Sequence, residues 1–144
     1  MANADREKIL SILKKTAAHA FLATCDGDAP VIRSVSPIVE DDLSMWIATF
    51  ANADKVRQIR KNPNVCLHFV SLPNGDQGAT VRGQAALVED KDTKRRVWGK
   101  ASYDLAGYFP GGPESEPYGL LRIVPETITW RESWEEGQHV HRVS

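Results

Sequence analysis

Residues 20–50, AFLATCDGDAPVIRSVSPIVEDDLSMWIATF, decide the fold. Three apolar runs stand in this stretch: Ala20–Thr24, Val31–Glu40 and Leu43–Phe50. Asp26-Gly27-Asp28 separates the first two, and Asp41-Asp42 separates the second and third. Runs this short, rich in β-branched residues and bounded by Asp and Gly, read as strands joined by tight turns. Connections of that length make consecutive strands antiparallel neighbours. Pro37 has no N–H for a ladder, so it must lie at an edge or a bulge of the second strand.

Working outward, residues before this stretch carry Ile9, Ile12, Leu13 and Thr16 or Ala17 at helical spacing. They predict a helix to about Ala18, capped by Asn3 or Asp5. Downstream, a short helix is expected over Asp54–Lys61, stopped by Asn62-Pro63. Val65–Ser71 and Ala79–Glu89 read as strands around the turn Pro73-Asn74-Gly75-Asp76, with Gly83 marking a bend or bulge. A third helix is expected from Asp92 to about Leu105, then a surface loop over Tyr108–Pro117. Gly119–Val124 and Thr127–Glu132 finish the sheet around Pro125. Residues 135–144 form a polar tail, expected to be mobile, behind a single domain over residues 1–134. The count is roughly six strands and three helices, mainly β with flanking helices, an α+β arrangement. Regular strand–helix alternation is absent, which excludes a doubly wound parallel sheet and leaves a small barrel with helices outside.

The 144 residues are about one domain long, enough to bury a sizeable core. Eighteen Lys plus Arg against nineteen Asp plus Glu leave a net charge of −1, without the basic excess that nucleic acid or an anionic membrane asks for. The N-terminal MANADREKILSILKK is charged throughout and lacks a signal peptide's apolar core. A cytoplasmic protein is expected. Cys25 and Cys66 each sit in an apolar run with no CxxC pair or zinc spacing, so buried free thiols and no metal are expected.

Two cations stand out. Arg33 shares a strand face with Val31, Val35 and Val39. A guanidinium there is costly unless paired, either with a carboxylate at the barrel rim or with a bound anion whose oxygens suit its fork. Lys55 falls in the first turn of its helix, where the macrodipole favours anions. It is either an exposed lysine reaching solvent or half of a phosphate site that also uses the free helix N–H groups. The chain returns from the Arg33 strand into Leu43–Phe50 and then enters the Lys55 helix, a path that can bring both cations to one end of the sheet.

Weaker candidates surround them. Ser34, Ser36 and Thr49 could supply hydroxyl or backbone bonds. His19, His68, His139 and His141 show no metal spacing, and no Ser-His-Asp, Cys-His, GxGxxG or Walker arrangement is present. Trp46, Trp98 and Trp130 read first as core or interface residues.

The run IRSVSPIVEDDLSMWIATFANADKVRQIRKNPNVCLHF resembles the pyridoxamine 5′-phosphate oxidase-like superfamily of FMN-binding split barrels. The run RRVWGKASYDLAGYFPGGPESEPYGLLRIVPETITW is similar to its bacterial general stress protein branch. The similarity covers about Ile9 to Trp130. It implies a six-stranded antiparallel split β-barrel and a homodimer with FMN at the subunit interface. Arg33, Ser34, Val35 and Ser36 match the strand beside the flavin, Thr49 a contact on the next strand, and Lys55 a phosphate-binding lysine. Trp130 matches a tryptophan that approaches the flavin from the partner subunit.

The chain also departs from that pattern. Oxidases of the parent family carry lysine where Ile38 stands and arginine where Asp54 stands, so two phosphate cations are missing and Asp54 would repel a phosphate unless it turns away to cap its helix. Their substrate-binding C-terminal segment is echoed only in part by His139-Val140-His141-Arg142. Vitamin B6 oxidation is therefore not expected. The leading reading is an FMN-dependent oxidoreductase of unknown substrate, with NAD(P)H or a small molecule as partner and no residue named as catalytic. The alternative is a non-catalytic stress protein that stores or senses FMN. Deazaflavin or haem in the same fold is a lesser reading.

Overall fold

Gly27 takes a left-handed φ of 61° and turns β1 (Ala20–Asp26) back into β2 (Ala29–Val35). The two strands pair antiparallel, with Ala20 opposite Val35 and Asp26 opposite Ala29. The structure, a computed structural model, describes residues 3–143. The cap expected from Asn3 therefore lies outside the described side chains, and Asp5 sits within the first turn of α1 (Asn3–Thr16).

After β2 the chain breaks at Ser36-Pro37 and resumes as β3 (Ile38–Val39), then β4 (Met45–Phe50) and α2 (Asp54–Lys61). β5 (Asn64–Val70) and β6 (Gly78–Leu87) follow, then α3 (Lys91–Trp98), the long β7 (Tyr118–Arg131) and β8 (His139–Arg142). All pairings are antiparallel, in the order β2-β1-β5-β6-β7-β4-β3, with β8 added beside β7. The two ends of that order, β2 and β3, are halves of one extended segment. One half pairs with β1 and the other with β4, so the sheet must curl until its edges meet at Ser36-Pro37. Proline cannot donate to either ladder, and the barrel is split there.

Alternation fills the interior. Leu22, Met45, Ile47, Leu67, Phe69, Val81 and Ile128 point inward, each at most 2% exposed, and Ile9, Ile12 and Leu13 of α1 close one end. On its outer face β4 carries Trp46, which packs with Val97 of α3, Leu105, Phe109, Tyr118 and Leu120 into a second cluster. Burial on both faces makes β4 nearly continuous in apolar residues. Gly83 marks a bulge, as its sequence context predicts: the β6–β7 register shifts between Arg82 and Gly83, and a Cβ there would stand 2.1 Å from the Val124 carbonyl oxygen.

The mainly β split barrel agrees with the sequence reading, but eight strands replace six. Pro37 cuts one expected strand into two, and residues of the tail supply the eighth. The tail is thus tied to the sheet: Ile128 pairs with His141 and Trp130 with His139. The third helix ends at Trp98 rather than near Leu105, because Gly99 follows and the chain turns outward to a short 3₁₀ turn at Leu105–Gly107. Cys25 and Cys66 are free but only partly buried, on the outer face of the sheet rather than in the core. No described helix is long and apolar enough to cross a membrane.

Candidate functional site

Beside the split lies a groove of about 590 Å³. One wall is the strand break itself, Ser34, Val35, Ser36 and Pro37; the floor is the end of β4, Ala48, Thr49 and Phe50. Lys55 enters from the first turn of α2, and the opposite wall comes from the segment between α3 and β7, chiefly Tyr103, Leu105, Tyr108 and Phe109. Five of the seven residues singled out by sequence, Ser34, Val35, Ser36, Thr49 and Lys55, therefore line one cavity. Close backbone approach sets the floor: a Cβ on Gly119 would lie 3.0 Å from the Ala51 Cα, so any side chain there would push β7 from the end of β4.

Lys55 is not a solvated surface lysine. It is partly buried, and its Nζ donates to Thr49 Oγ1 at 2.9 Å. Thr49 itself is 6% exposed. Burial, and then the neighbouring Arg33 charge, pull the ammonium below the usual lysine range. Among the described residues Lys55 makes no ion pair.

Arg33 stands on the β2 face shared with Val31 and Val35, as alternation predicts. Its guanidinium does not open into the groove but turns inward. Nη1 donates to Thr24 Oγ1 at 2.7 Å and to the Leu22 carbonyl at 3.3 Å; Nη2 donates to Gln58 Oε1 at 2.9 Å. The rim ion pair that sequence leaves open is not formed: every acceptor is neutral. Burial lowers its proton affinity, opposed by the more distant Asp54 carboxylate. Asp54 is exposed and faces Arg57, 3.6 Å away, so it turns from the groove without capping α2; the capping position is Ala53, with no side-chain bond. Two partly buried cations thus feel each other at one end of the barrel with no carboxylate between them. An anion placed there would relieve both.

Trp130, expected to approach from a partner subunit, is not among the residues that line this chain's own groove. Its ring is 4% exposed, packed in the barrel core and covered by His139 at a centroid distance of 4.6 Å. Ile38, where the family's oxidases carry lysine, is likewise buried under α3. Sequence reading also missed the aromatic wall. Tyr103 donates its hydroxyl to the Ser36 carbonyl at 3.3 Å, tying the far wall to the strand break, and Tyr108 meets the Tyr103 ring edge-on at 6.4 Å. The signal available was only the spacing of Tyr103, Tyr108 and Phe109 in a segment that reads as loop. Among the described residues no three His, Cys, Asp or Glu side chains cluster as metal ligands.

These features define a split-barrel protein whose groove, cationic at one end and aromatic at the other, suits a planar ligand with an anionic tail. The model of the pyridoxamine 5′-phosphate oxidase family matches residues 6–131, and the chain belongs to that family. No curated protein matches it. Among solved structures it is similar to General Stress Protein 26 from Bacillus anthracis, at 25% identity and a TM-score of 0.78, with 96% of this chain and 98% of that chain covered. A Clostridium acetobutylicum protein related to general stress protein 26, of the pyridoxinephosphate oxidase family, aligns at 17% identity and a TM-score of 0.81, covering 99% and 97%. A heme binding protein from Mycobacterium smegmatis shares the fold at 14% identity and a TM-score of 0.76, covering 99% of this chain and 59% of that one. The family resemblance read from the sequence is correct.

Proposed function

We propose that this chain binds FMN in the groove beside the split and acts as an FMN-dependent oxidoreductase on a small-molecule substrate. The observation that carries the reading is the pair of partly buried cations, Lys55 and Arg33, without a carboxylate partner among the described residues. A phosphate dianion supplies the missing charge, and the Asp54 and Lys55 N–H groups at the start of α2, with no side-chain cap on Ala53, are free to join it. Lys55 and Thr49 would hold the phosphate, Arg33 would add its field, and the Ser34–Ser36 strand would run beside the ring system. Tyr103, Leu105 and Phe109 would wall the ring from water. Bound flavin supplies the electron transfer, so the chain need offer only binding, orientation and exclusion of water.

FMN, rather than haem or a deazaflavin, is the ligand proposed, and the absorption spectrum of the loaded protein separates the three. Consumption of NAD(P)H with turnover of an acceptor supports the oxidoreductase; tight binding without turnover would make the protein a flavin store. A homodimer is part of the proposal. Phe21 and Ile32, 36% and 67% exposed, share the outer face of β1 and β2, and a second copy would cover them. Sedimentation should give about twice the 16.0 kDa chain mass. A monomer holding one FMN per chain would refute a shared site.

A further inference from the structure

A closed ring of three hydrogen bonds lies behind the groove. Arg33 Nη1 donates to Thr24 Oγ1 at 2.7 Å, that hydroxyl donates to Gln58 Oε1 at 2.6 Å, and Arg33 Nη2 donates to the same oxygen at 2.9 Å. The directions are forced, because a guanidinium has no acceptor and Gln58 must turn its oxygen to it. Gln58 and Thr24 are 4% and 2% exposed, so the two neutral members of the ring are buried, and Arg33 is partly so. A polar side chain buried on the apolar face of α2, between Val56 and Ile59, needs a reason, and none comes from packing.

The ring holds a guanidinium with no negative charge. Glutamate is nearly isosteric with glutamine, and at position 58 it would give a charge-assisted pair with Arg33. It would also cancel the charge that Lys55 feels. Gln58 lies three residues after Lys55, on the same side of α2, so one helix face carries both the groove's lysine and the holder of its arginine.

We propose that Gln58 is a positioning residue for the anion site: through a neutral oxygen it fixes the Arg33 guanidinium while leaving its charge for a phosphate in the groove. The inference rests on the FMN reading above and adds the residue that sets the strength of phosphate selection. Thr24 is the relay that fixes the second nitrogen.

The test is the ratio of FMN to riboflavin affinity, measured by calorimetry on the full chain for wild type, Gln58→Glu and Gln58→Met. The two ligands differ only in the phosphate, so a residue with a merely structural role would change both affinities together. Gln58→Glu should lower the ratio about tenfold or more, the usual scale for losing a charge-assisted contact, with riboflavin affinity unchanged. Gln58→Met removes the acceptor without adding charge and should lower the ratio about threefold. A folded Gln58→Glu protein with the wild-type ratio overturns the inference. Should that variant not fold, a wild-type ratio in Gln58→Met overturns it instead. A wild-type protein that binds both ligands equally would refute the phosphate reading, and this inference with it. Discrimination in wild type that survives both substitutions would refute the role of Gln58 alone.

Discussion

Replacing Lys55 by methionine separates what the lysine does for folding from what it does for a ligand. Methionine keeps the unbranched stem, so packing along α2 changes little. Two effects then act on the ligand-free protein. Losing the bond from Nζ to Thr49 Oγ1, 2.9 Å long, leaves the hydroxyl of a buried residue without its partner, at a cost of about 1 kcal/mol. Removing a partly desolvated ammonium that is repelled by Arg33 offsets part of that cost, a small part because water still screens the site. The ligand-free variant should therefore unfold within about 1 kcal/mol of wild type in urea titration. FMN affinity should behave differently and fall by about 1.5–3 kcal/mol, roughly ten- to a hundredfold, because a charge-assisted bond to phosphate is gone. Riboflavin affinity should stay put. A stability loss above about 2 kcal/mol with parallel losses for both ligands would make Lys55 a structural residue and refute the reasoning.

Trp130→Ala should destabilise the fold by about 3–5 kcal/mol in the same titration, since the ring is only 4% exposed in the barrel core; a fully stable variant that has lost flavin would restore the tryptophan to the site. Tyr118 should ionise far above a free phenol, because burial, with a smaller push from Tyr103, raises it from 10.0 to about 12. The folded state then holds a proton that the unfolded chain releases, so stability should fall as pH rises from 10.0 to about 12, and absorbance titration of Tyr118→Phe should lack the late-ionising phenol.

The strands were legible because their apolar runs are short, alternate and end in Asp and Gly. Arg33 and Lys55 were legible because a cation is out of place among valines, or at the positive end of a helix. The aromatic wall was hidden for the opposite reason. Tyr103, Tyr108 and Phe109 belong to a segment without periodicity, and its course is fixed by long-range contacts: Phe109 against Trp98 and Tyr118, and the Tyr103 hydroxyl on the Ser36 carbonyl. Gln58 was hidden because its importance lies in partners on β1 and β2, which helix spacing cannot reveal. The tail misled through composition. His139-Val140-His141-Arg142 reads as solvated, yet its backbone pairs with the long β7, and that pairing needs no apolar side chains. Trp130 was legible by residue type alone; its place in the barrel core under His139 comes from pairing with the tail strand, which composition does not reveal.

A single titration decides whether the groove is a phosphate-selective flavin site. Protein freed of ligand is titrated with FMN and with riboflavin at moderate salt, following the quenching of flavin fluorescence. One FMN per chain should bind, at least about tenfold more tightly than riboflavin, the least that one charge-assisted phosphate contact provides. Equal affinities, or no FMN binding at all, would contradict it.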